Sequence, residues 1–189
     1  MTRLNKTIVL VGLMGAGKTS VGRRLAEMLS VAFFDSDDEI EAAAGMTIPD
    51  IFETFGEEDF RRGERDVLQR LMTDRPCVLA TGGGAFMHAD TRAIVAEWGV
   101  SVWLQVDLDL LWHRVADRPG RPLLANDDPF GTLKRLFDTR APVYAQADVT
   151  VASHRRESQD DVARHVIEAV AAFGQQHPDR AAFGPMKGN

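Results

Sequence analysis

Short apolar segments alternate with amphipathic segments along most of the chain. The first apolar segment, residues 7–11, is rich in β-branched side chains and is typical of a buried parallel strand. Apolar residues at helical spacing follow it over residues 21–29. The same alternation continues to residue 173 and predicts four further strands, at 31–34, 77–80, 100–106 and 149–151. It therefore predicts an α/β fold, a three-layer sandwich around a five-stranded parallel sheet.

Two segments interrupt this pattern. Residues 117–128 are rich in proline, glycine and arginine, which is typical of a mobile loop. Residues 174–189 contain two prolines and three glycines with few apolar side chains, and we expect a disordered tail there. The chain length of 189 residues suits one domain, which we place at residues 1–173.

A phosphate-binding motif occupies the turn between the first predicted strand and the first helix. Residues 12–19 read Gly-Leu-Met-Gly-Ala-Gly-Lys-Thr and match the pattern G-x-x-x-x-G-K-[ST]. A strand, a glycine loop and a helix in this order direct backbone N–H groups at a phosphate, which a chance glycine-rich turn would not do. We expect Lys18 to reach the β- and γ-phosphates of a nucleotide and the Thr19 hydroxyl to bind Mg²⁺. The expected ATP-binding residues of this motif are Gly15, Ala16, Gly17, Lys18, Thr19 and Ser20.

Two aspartates follow the second predicted strand with one residue between them. In extended backbone this spacing directs Asp35 and Asp37 to the same side. One acid can hold the hydration shell of Mg²⁺, and the other can take the proton of an attacking hydroxyl. Asp35 lies nearer the strand, so we assign it to the metal through water and assign Asp37 to the hydroxyl. The alternative role, capping of the following helix, needs only one of the two.

Three glycines, residues 82–84, follow the third predicted strand. They leave backbone N–H groups open to a closely approaching ligand, although a flexible turn would have the same composition. Thr81 stands at the end of that strand, where a P-loop protein of the usual kind has a metal-binding acid. Asp35 is therefore the better candidate for the metal.

Arginines supply the candidate cations. Arg61 can pair with Glu64, three residues later on one helix, or can line a pocket beside Phe60. In the mobile loop, Arg118 and Arg121 can close over ATP and stabilise charge in the transition state. A basic surface loop would have the same composition.

The later arginines carry a less specific signal. Arg140, four residues before Tyr144, is either a binding residue or a solvated helix charge. Arg155 and Arg156 follow the last strand, where one of them can stack on adenine. We assign Arg156 to ATP and keep Arg155 as the alternative.

Composition and charge limit the function classes. The net charge of −6 argues against non-specific nucleic-acid binding, but not against a small anion held by a few arginines. No run of eighteen apolar residues is present, and the N-terminus enters a strand too soon for a signal peptide. One cysteine, Cys77, allows no internal disulfide, and the five histidines show no metal-ligand spacing. We therefore expect a cytoplasmic enzyme without a membrane partner, and we expect it to be a monomer.

In these motifs the chain resembles the shikimate kinases over roughly residues 5–172. The matching segments are Gly-Leu-Met-Gly-Ala-Gly-Lys-Thr at 12–19, Phe-Asp-Ser-Asp at 34–37, Phe-Arg-Arg-Gly-Glu at 60–64, Gly-Gly-Gly at 82–84, Arg-Pro-Leu-Leu at 121–124 and Arg-Ala-Pro-Val-Tyr at 140–144. The resemblance implies a P-loop fold similar to nucleoside monophosphate kinases, with strand order 2-3-1-4-5. It implies a lid at about 117–128 and a substrate-binding region at about 36–64. It also implies ATP-dependent phosphorylation of the shikimate 3-hydroxyl, with Mg²⁺ as cofactor, in aromatic amino acid biosynthesis.

The resemblance assigns roles by position. The catalytic residues would be Lys18, Asp37 and the lid residue Arg121, which would contact ATP. The shikimate-binding residues would be Asp37, Arg61, Gly83 and Arg140, with both arginines on the carboxylate. Magnesium would be held by Thr19 and, through water, by Asp35.

Two other functions remain open. A kinase for another polyol acid, such as gluconate, would need the phosphate-binding loop but not the Phe-Arg pair at 60–61 together with the triple glycine. A nucleotide-binding regulatory module that has lost catalysis should lack Asp37 or the lid arginine, and this chain has both. Phosphorylation of shikimate is therefore the function that we expect.

Overall fold

The computed structural model describes residues 2–116 and 122–185. The strands are β1 (Thr2–Leu4), β2 (Thr7–Val11), β3 (Phe33–Asp35), β4 (Val78–Ala80), β5 (Gly99–Gln105), β6 (Val149–Ala152) and β7 (Phe183–Pro185). The α-helices are α1 (Lys18–Leu29), α2 (Ser36–Ala44), α3 (Ile48–Asp74), α4 (Ala89–Trp98), α5 (Leu108–Val115), α6 (Pro129–Tyr144) and α7 (Gln159–Gln176). Short 3₁₀ turns lie at Ala85–Met87, Pro122–Leu124 and Pro178–Arg180. The five strands β2–β6 are separated by helical segments as the hydrophobic pattern predicts, whereas the pattern does not predict β1 and β7.

The main sheet has five parallel strands in the order β3-β4-β2-β5-β6. Numbered among themselves along the chain, these strands have the order 2-3-1-4-5, so the predicted fold class and strand order are confirmed. Strand β2 lies at the centre, with Ile8 opposite both Val78 and Val100. Helix α1 connects β2 to β3, and α4 connects β4 to β5, so these two connections run in opposite directions across the sheet. Because such crossovers are right-handed, the two helices lie on opposite faces of the sheet. The loop after β2 consequently lies at the middle of the sheet's carboxyl edge, where α/β proteins bind ligands.

The buried strand β2 and helix α1 form the base of that loop. Ile8, Val9, Leu10 and Val11 are completely buried, which explains their unbroken apolar run. Helix α1 lies so close to β3 that a Cβ at Gly22 would be 2.5 Å from the Phe33 ring. This contact fixes the start of α1 relative to the end of β3, and therefore fixes the two chain segments that carry the candidate phosphate and metal ligands.

Helix α3 contains a sharp break at Gly56. This residue has φ 80° and ψ 175°, which are not helical values and which glycine adopts without strain. The break separates two helical segments, and the second carries Arg61.

Residues 174–185 are ordered on the body of the protein, so the prediction of a disordered tail is wrong for them. Strand β7 pairs antiparallel with β1, and Leu4 lies opposite Phe183. Arg180 donates from Nη1 and Nη2 to the two carboxylate oxygens of Asp148, at 2.5 and 2.9 Å. Ala182 is completely buried. Backbone pairing and one bidentate ion pair hold this segment, and neither produces a local hydrophobic pattern.

The loop predicted as a lid lies partly outside the described residues, because residues 117–121 are among those not described. Its second half is ordered by local contacts. Asp128 accepts a hydrogen bond from the Gly131 N–H at 2.9 Å and caps α6. Among the residues that the structure describes, no helix is both long and apolar enough to cross a membrane.

Candidate active site

The loop between β2 and α1 is held in shape by its glycines and by Lys18. Gly15 and Gly17 have φ values of 82° and 92°, which favour glycine. A Cβ at Gly15 would also lie 2.7 Å from Cγ1 of Val115. The Lys18 ammonium donates to the carbonyl oxygens of Gly12 and Leu13, at 2.8 and 3.2 Å. The positive charge thus lies over the loop, at the N-terminus of α1, where a phosphate is best stabilised.

Thr19 and Asp35 bring two oxygen ligands together beside this loop. The Thr19 hydroxyl donates to Oδ2 of Asp35 at 2.8 Å. The other carboxylate oxygen accepts a hydrogen bond from the Asp37 N–H at 3.2 Å, so Asp35 is also the cap of α2. In the described part of the chain, no three acidic, histidine or cysteine side chains form a ready metal cluster. A hydroxyl and a single carboxylate suit Mg²⁺, which keeps several of its waters.

Asp37 is half-buried and does not cap the helix. The pKa of its carboxyl group is raised to about 6, chiefly by burial and secondly by the charge of Asp35, although Lys18 lowers it in part. The carboxylate lies against the first glycine of the triple-glycine loop, because a Cβ at Gly82 would be 2.6 Å from Oδ1. Near neutral pH this group is ionised yet basic enough to accept a proton.

The other two glycines of the loop each face a candidate cation. A Cβ at Gly83 would lie 3.2 Å from Nη1 of Arg140, and a Cβ at Gly84 would lie 2.9 Å from Nη2 of Arg61. Two guanidinium groups therefore stand side by side along this loop. The loop is not merely a flexible turn, because each glycine, having no side chain, leaves space for a charged group of another residue.

Arg61 satisfies both of the interpretations that the sequence left open. Its Nη1 donates to Glu64 at 2.8 Å, and the Glu64 side chain is only 2% exposed. Its guanidinium also packs 5.0 Å from the centroid of the Phe60 ring. Phe60 in turn stacks on Phe52 at 4.4 Å. The buried acid and the ring stack together fix the orientation of Arg61 on α3.

Known proteins resemble this chain in sequence and in fold. The sequence model of the shikimate kinase family matches residues 14–171. The chain belongs to the shikimate kinase family. Shikimate kinases of Brucella canis and Ruegeria pomeroyi are 51% and 52% identical to it over 168 residues, which cover 89% of this chain and 84% and 86% of theirs. The solved structure of shikimate kinase from Acinetobacter baumannii in complex with shikimate has a TM-score of 0.82 at 40% identity, covering 89% of this chain and 94% of that one.

The nucleotide side of this shikimate kinase fold is only partly described. Arg121 and Arg118 lie outside the described residues, so their roles stay predictions. Arg155 and Arg156 are exposed after β6, and Nη2 of Arg155 lies 3.4 Å from Nε2 of His113. The structure therefore does not decide which of these two arginines contacts adenine.

Three contacts at the site were missed by the sequence analysis. Arg114 donates to the carbonyl oxygen of Gly15 at 3.2 Å, ninety-nine residues away in the chain. The buried hydroxyl of Ser36 accepts a hydrogen bond from the Gly82 N–H at 3.0 Å. The Tyr144 hydroxyl donates to the carbonyl oxygen of Gly83 at 2.5 Å. No spacing rule predicts these contacts, although Ser36 lies between the two aspartates and Tyr144 lies in the motif shared with the family.

Proposed function

We propose that this protein transfers the γ-phosphoryl group of ATP to the 3-hydroxyl of shikimate. One observation carries the proposal: the three consecutive glycines at 82–84 face Asp37, Arg140 and Arg61 in turn. An acid and two arginines thus lie along one short loop beside the phosphate-binding loop. Shikimate has the same distribution of groups, with hydroxyls at one end of its ring and a carboxylate at the other.

The two arginines are suited to the carboxylate. A guanidinium can grip a carboxylate with two parallel hydrogen bonds, which a lysine ammonium cannot do. Glu64 pairs with Nη1 of Arg61 at 2.8 Å, and the exposed Glu57 lies 3.5 Å from its Nη2. Arg61 is therefore partly neutralised, and the attraction for an anionic group comes from the two arginines together.

Asp37 is suited to the reacting hydroxyl. As the hydroxyl oxygen forms a bond to the γ-phosphorus, the bond from phosphorus to the β,γ-bridging oxygen breaks and ADP leaves. The hydroxyl proton passes to the Asp37 carboxylate, whose raised pKa makes it a better base than an exposed aspartate. Lys18 stabilises the charge on the phosphoryl oxygens.

Thr19 and Asp35 would hold Mg²⁺, the threonine through its hydroxyl and the aspartate through water. When bound, the ion neutralises phosphate charge. Their hydrogen bond at 2.8 Å places both oxygens next to the Lys18 loop before any nucleotide binds. We further propose that Gly15, Ala16, Gly17 and Ser20 contact ATP, that Arg121 and Arg156 contact it from the lid and the adenine side, and that the enzyme is a cytoplasmic monomer.

The test is ADP formation by the purified protein with ATP and Mg²⁺. Turnover should be high with shikimate and at background level both with gluconate and without an acceptor. A higher kcat/KM with gluconate would contradict the substrate assignment, and ADP formation independent of any acceptor would contradict kinase activity.

Arg61→Lys provides the sharper test of the carboxylate site. The substitution keeps the charge but loses the bidentate geometry, so shikimate binding should weaken by about 1–3 kcal/mol. The KM for ATP should change little, because ATP binds on the other side of the transferred phosphate. Arg62→Lys is the matched control, since Arg62 is exposed and pairs with Asp59 on the outside of α3. Equal effects of the two substitutions would remove Arg61 from the carboxylate site.

A further inference from the structure

Tyr144 connects two groups of the proposed carboxylate site. It is the last residue of α6 and is 2% exposed. Its hydroxyl donates to the carbonyl oxygen of Gly83 at 2.5 Å and lies near the Arg140 guanidinium, one turn earlier in the helix. A Cβ at Gly83 would lie 3.7 Å from that hydroxyl and 3.2 Å from Nη1 of Arg140. The hydroxyl therefore bonds the loop at the point where the arginine approaches it.

Packing alone does not fix the Tyr144 ring. The ring borders a small apolar cavity of about 10 Å³, formed with Leu13, Trp103, Phe137 and other apolar side chains beneath the phosphate-binding loop. This is about the space of one water molecule, and its apolar lining leaves a water too few partners. The Trp103 ring is 6.1 Å away between centroids, in a tilted contact. Because the ring has free space on this side, the hydrogen bond from the hydroxyl to Gly83 helps to fix its position.

The hydroxyl keeps its proton over the working range of pH. Burial raises the pKa of Tyr144 above its ordinary value, although the charge of Arg140 lowers it in part. A protonated hydroxyl can donate to the Gly83 carbonyl oxygen. This hydrogen bond therefore holds the Gly83 peptide beside Arg140 at neutral pH.

We propose that Tyr144 is a positioning residue that holds Arg140 and the Gly83 peptide in a fixed arrangement for the carboxylate of the acceptor. The proposal rests on the proposed function, in which both partners bind shikimate. Without the hydroxyl, the long Arg140 side chain must be ordered anew in each binding event, and that entropy cost weakens binding. The tyrosine itself acts only through its two partners.

Tyr144→Phe tests this role by removing one oxygen. The KM for shikimate should rise about tenfold, the upper end of the effect of one lost hydrogen bond, while the KM for ATP stays within about twofold. The decisive comparison uses a shikimate analogue in which a hydroxymethyl group replaces the carboxylate. For this analogue, kcat/KM should be the same in Tyr144→Phe and wild type. An equal loss on both acceptors would show a merely structural role and would overturn the proposal, as would an unchanged KM for shikimate.

Two further variants separate the hydroxyl from the ring packing. Phe137→Leu changes the lining of the same cavity without touching a hydrogen bond, so it should leave the preference for shikimate over the analogue unchanged. A loss of preference as large as that in Tyr144→Phe would assign the effect to packing and refute the hydroxyl's role. In an Arg140→Gln background, Tyr144→Phe should raise the KM by clearly less than tenfold, because one of the two groups it positions is gone. A full tenfold rise there would contradict action through Arg140.

Gly83→Ala tests the same contact from the loop, in case Tyr144→Phe does not fold. Its Cβ would press on Arg140, and the KM should rise more for shikimate than for the analogue. The outcomes also separate the two proposals. If the wild type fails to phosphorylate shikimate, the proposed function fails. If the wild type succeeds and Tyr144→Phe keeps the wild-type preference, only the positioning role fails.

Discussion

Asp37→Asn should make the protein more stable and almost inactive at neutral pH. The Asp37 pKa rises from 3.8 to about 6 on folding, chiefly through burial and secondly through the charge of Asp35. A shift of about two pH units corresponds to about 3 kcal/mol of unfavourable free energy in the folded state when the group is ionised. Asparagine has nearly the same shape and carries no charge, so the variant does not bear this cost. We therefore expect a gain in unfolding free energy of about 2–3 kcal/mol at pH 7.5.

The gain should depend on pH with a definite sign. Because the folded pKa is raised, the folded protein binds its proton more tightly than the unfolded chain between about pH 4 and pH 6. The wild type therefore loses stability as pH rises through that window, whereas the variant does not. The advantage of the variant should fall to about 1 kcal/mol at pH 4.5.

Urea unfolding at pH 7.5 and 4.5 measures both values. The matched control is Glu58→Gln, which neutralises an exposed acid on α3 and should change stability by no more than about 0.5 kcal/mol at either pH. Turnover of Asp37→Asn should be roughly 10²–10⁴-fold lower than that of wild type. Wild-type kcat/KM should decline below about pH 6 as the base is protonated. A destabilised variant at pH 7.5, or a gain independent of pH, would refute the reasoning from charge and burial.

Two further predictions concern the phosphate-binding loop and the C-terminal segment. Lys18→Met should abolish phosphoryl transfer and leave a folded protein, because it removes the ammonium group that stabilises charge on the phosphoryl oxygens. Near wild-type turnover would contradict this role of Lys18. Removal of residues 177–189 should lower the melting temperature, since β7 and the Arg180–Asp148 pair are lost; an unchanged melting curve would show that this segment adds no stability. Arg180→Ala alone should cost about 1–3 kcal/mol, and the control Arg164→Ala, in an exposed pair, less than about 1 kcal/mol.

The sequence predicts the sheet because its central strands are buried on both faces. Residues 7–11 form a continuous apolar run, and only a central parallel strand explains such a run next to a glycine loop. The extended-backbone argument for Asp35 and Asp37 was wrong, because extended backbone ends at Asp35, which caps α2, and Asp37 lies in the first turn of that helix. The apolar run and the pair of acids are local features, so they can be seen in a single sequence.

The C-terminal segment shows the limit of that approach. Its low apolar content suggested disorder, yet β7 finds its partner at the opposite end of the chain, in β1. Arg180 likewise meets Asp148 across thirty-two residues. Tyr144 and Arg114 touch the site through contacts of the same kind. Contacts between distant residues depend on the completed fold, and no spacing rule reports them.

Charge separation within the site explains how a chain of net charge −6 can bind two anions. Lys18 and the amino end of α1 lie at one end of the site, and Arg61 and Arg140 lie along the loop at the other. Asp37 stands among these cations but keeps a raised pKa, because burial and Asp35 outweigh the attraction of Lys18. A carboxylate with ordinary exposure would be a weaker base, and a fully buried one would remain protonated at neutral pH. Partial burial against Gly82 therefore places the basicity of Asp37 in the range that proton transfer at neutral pH requires.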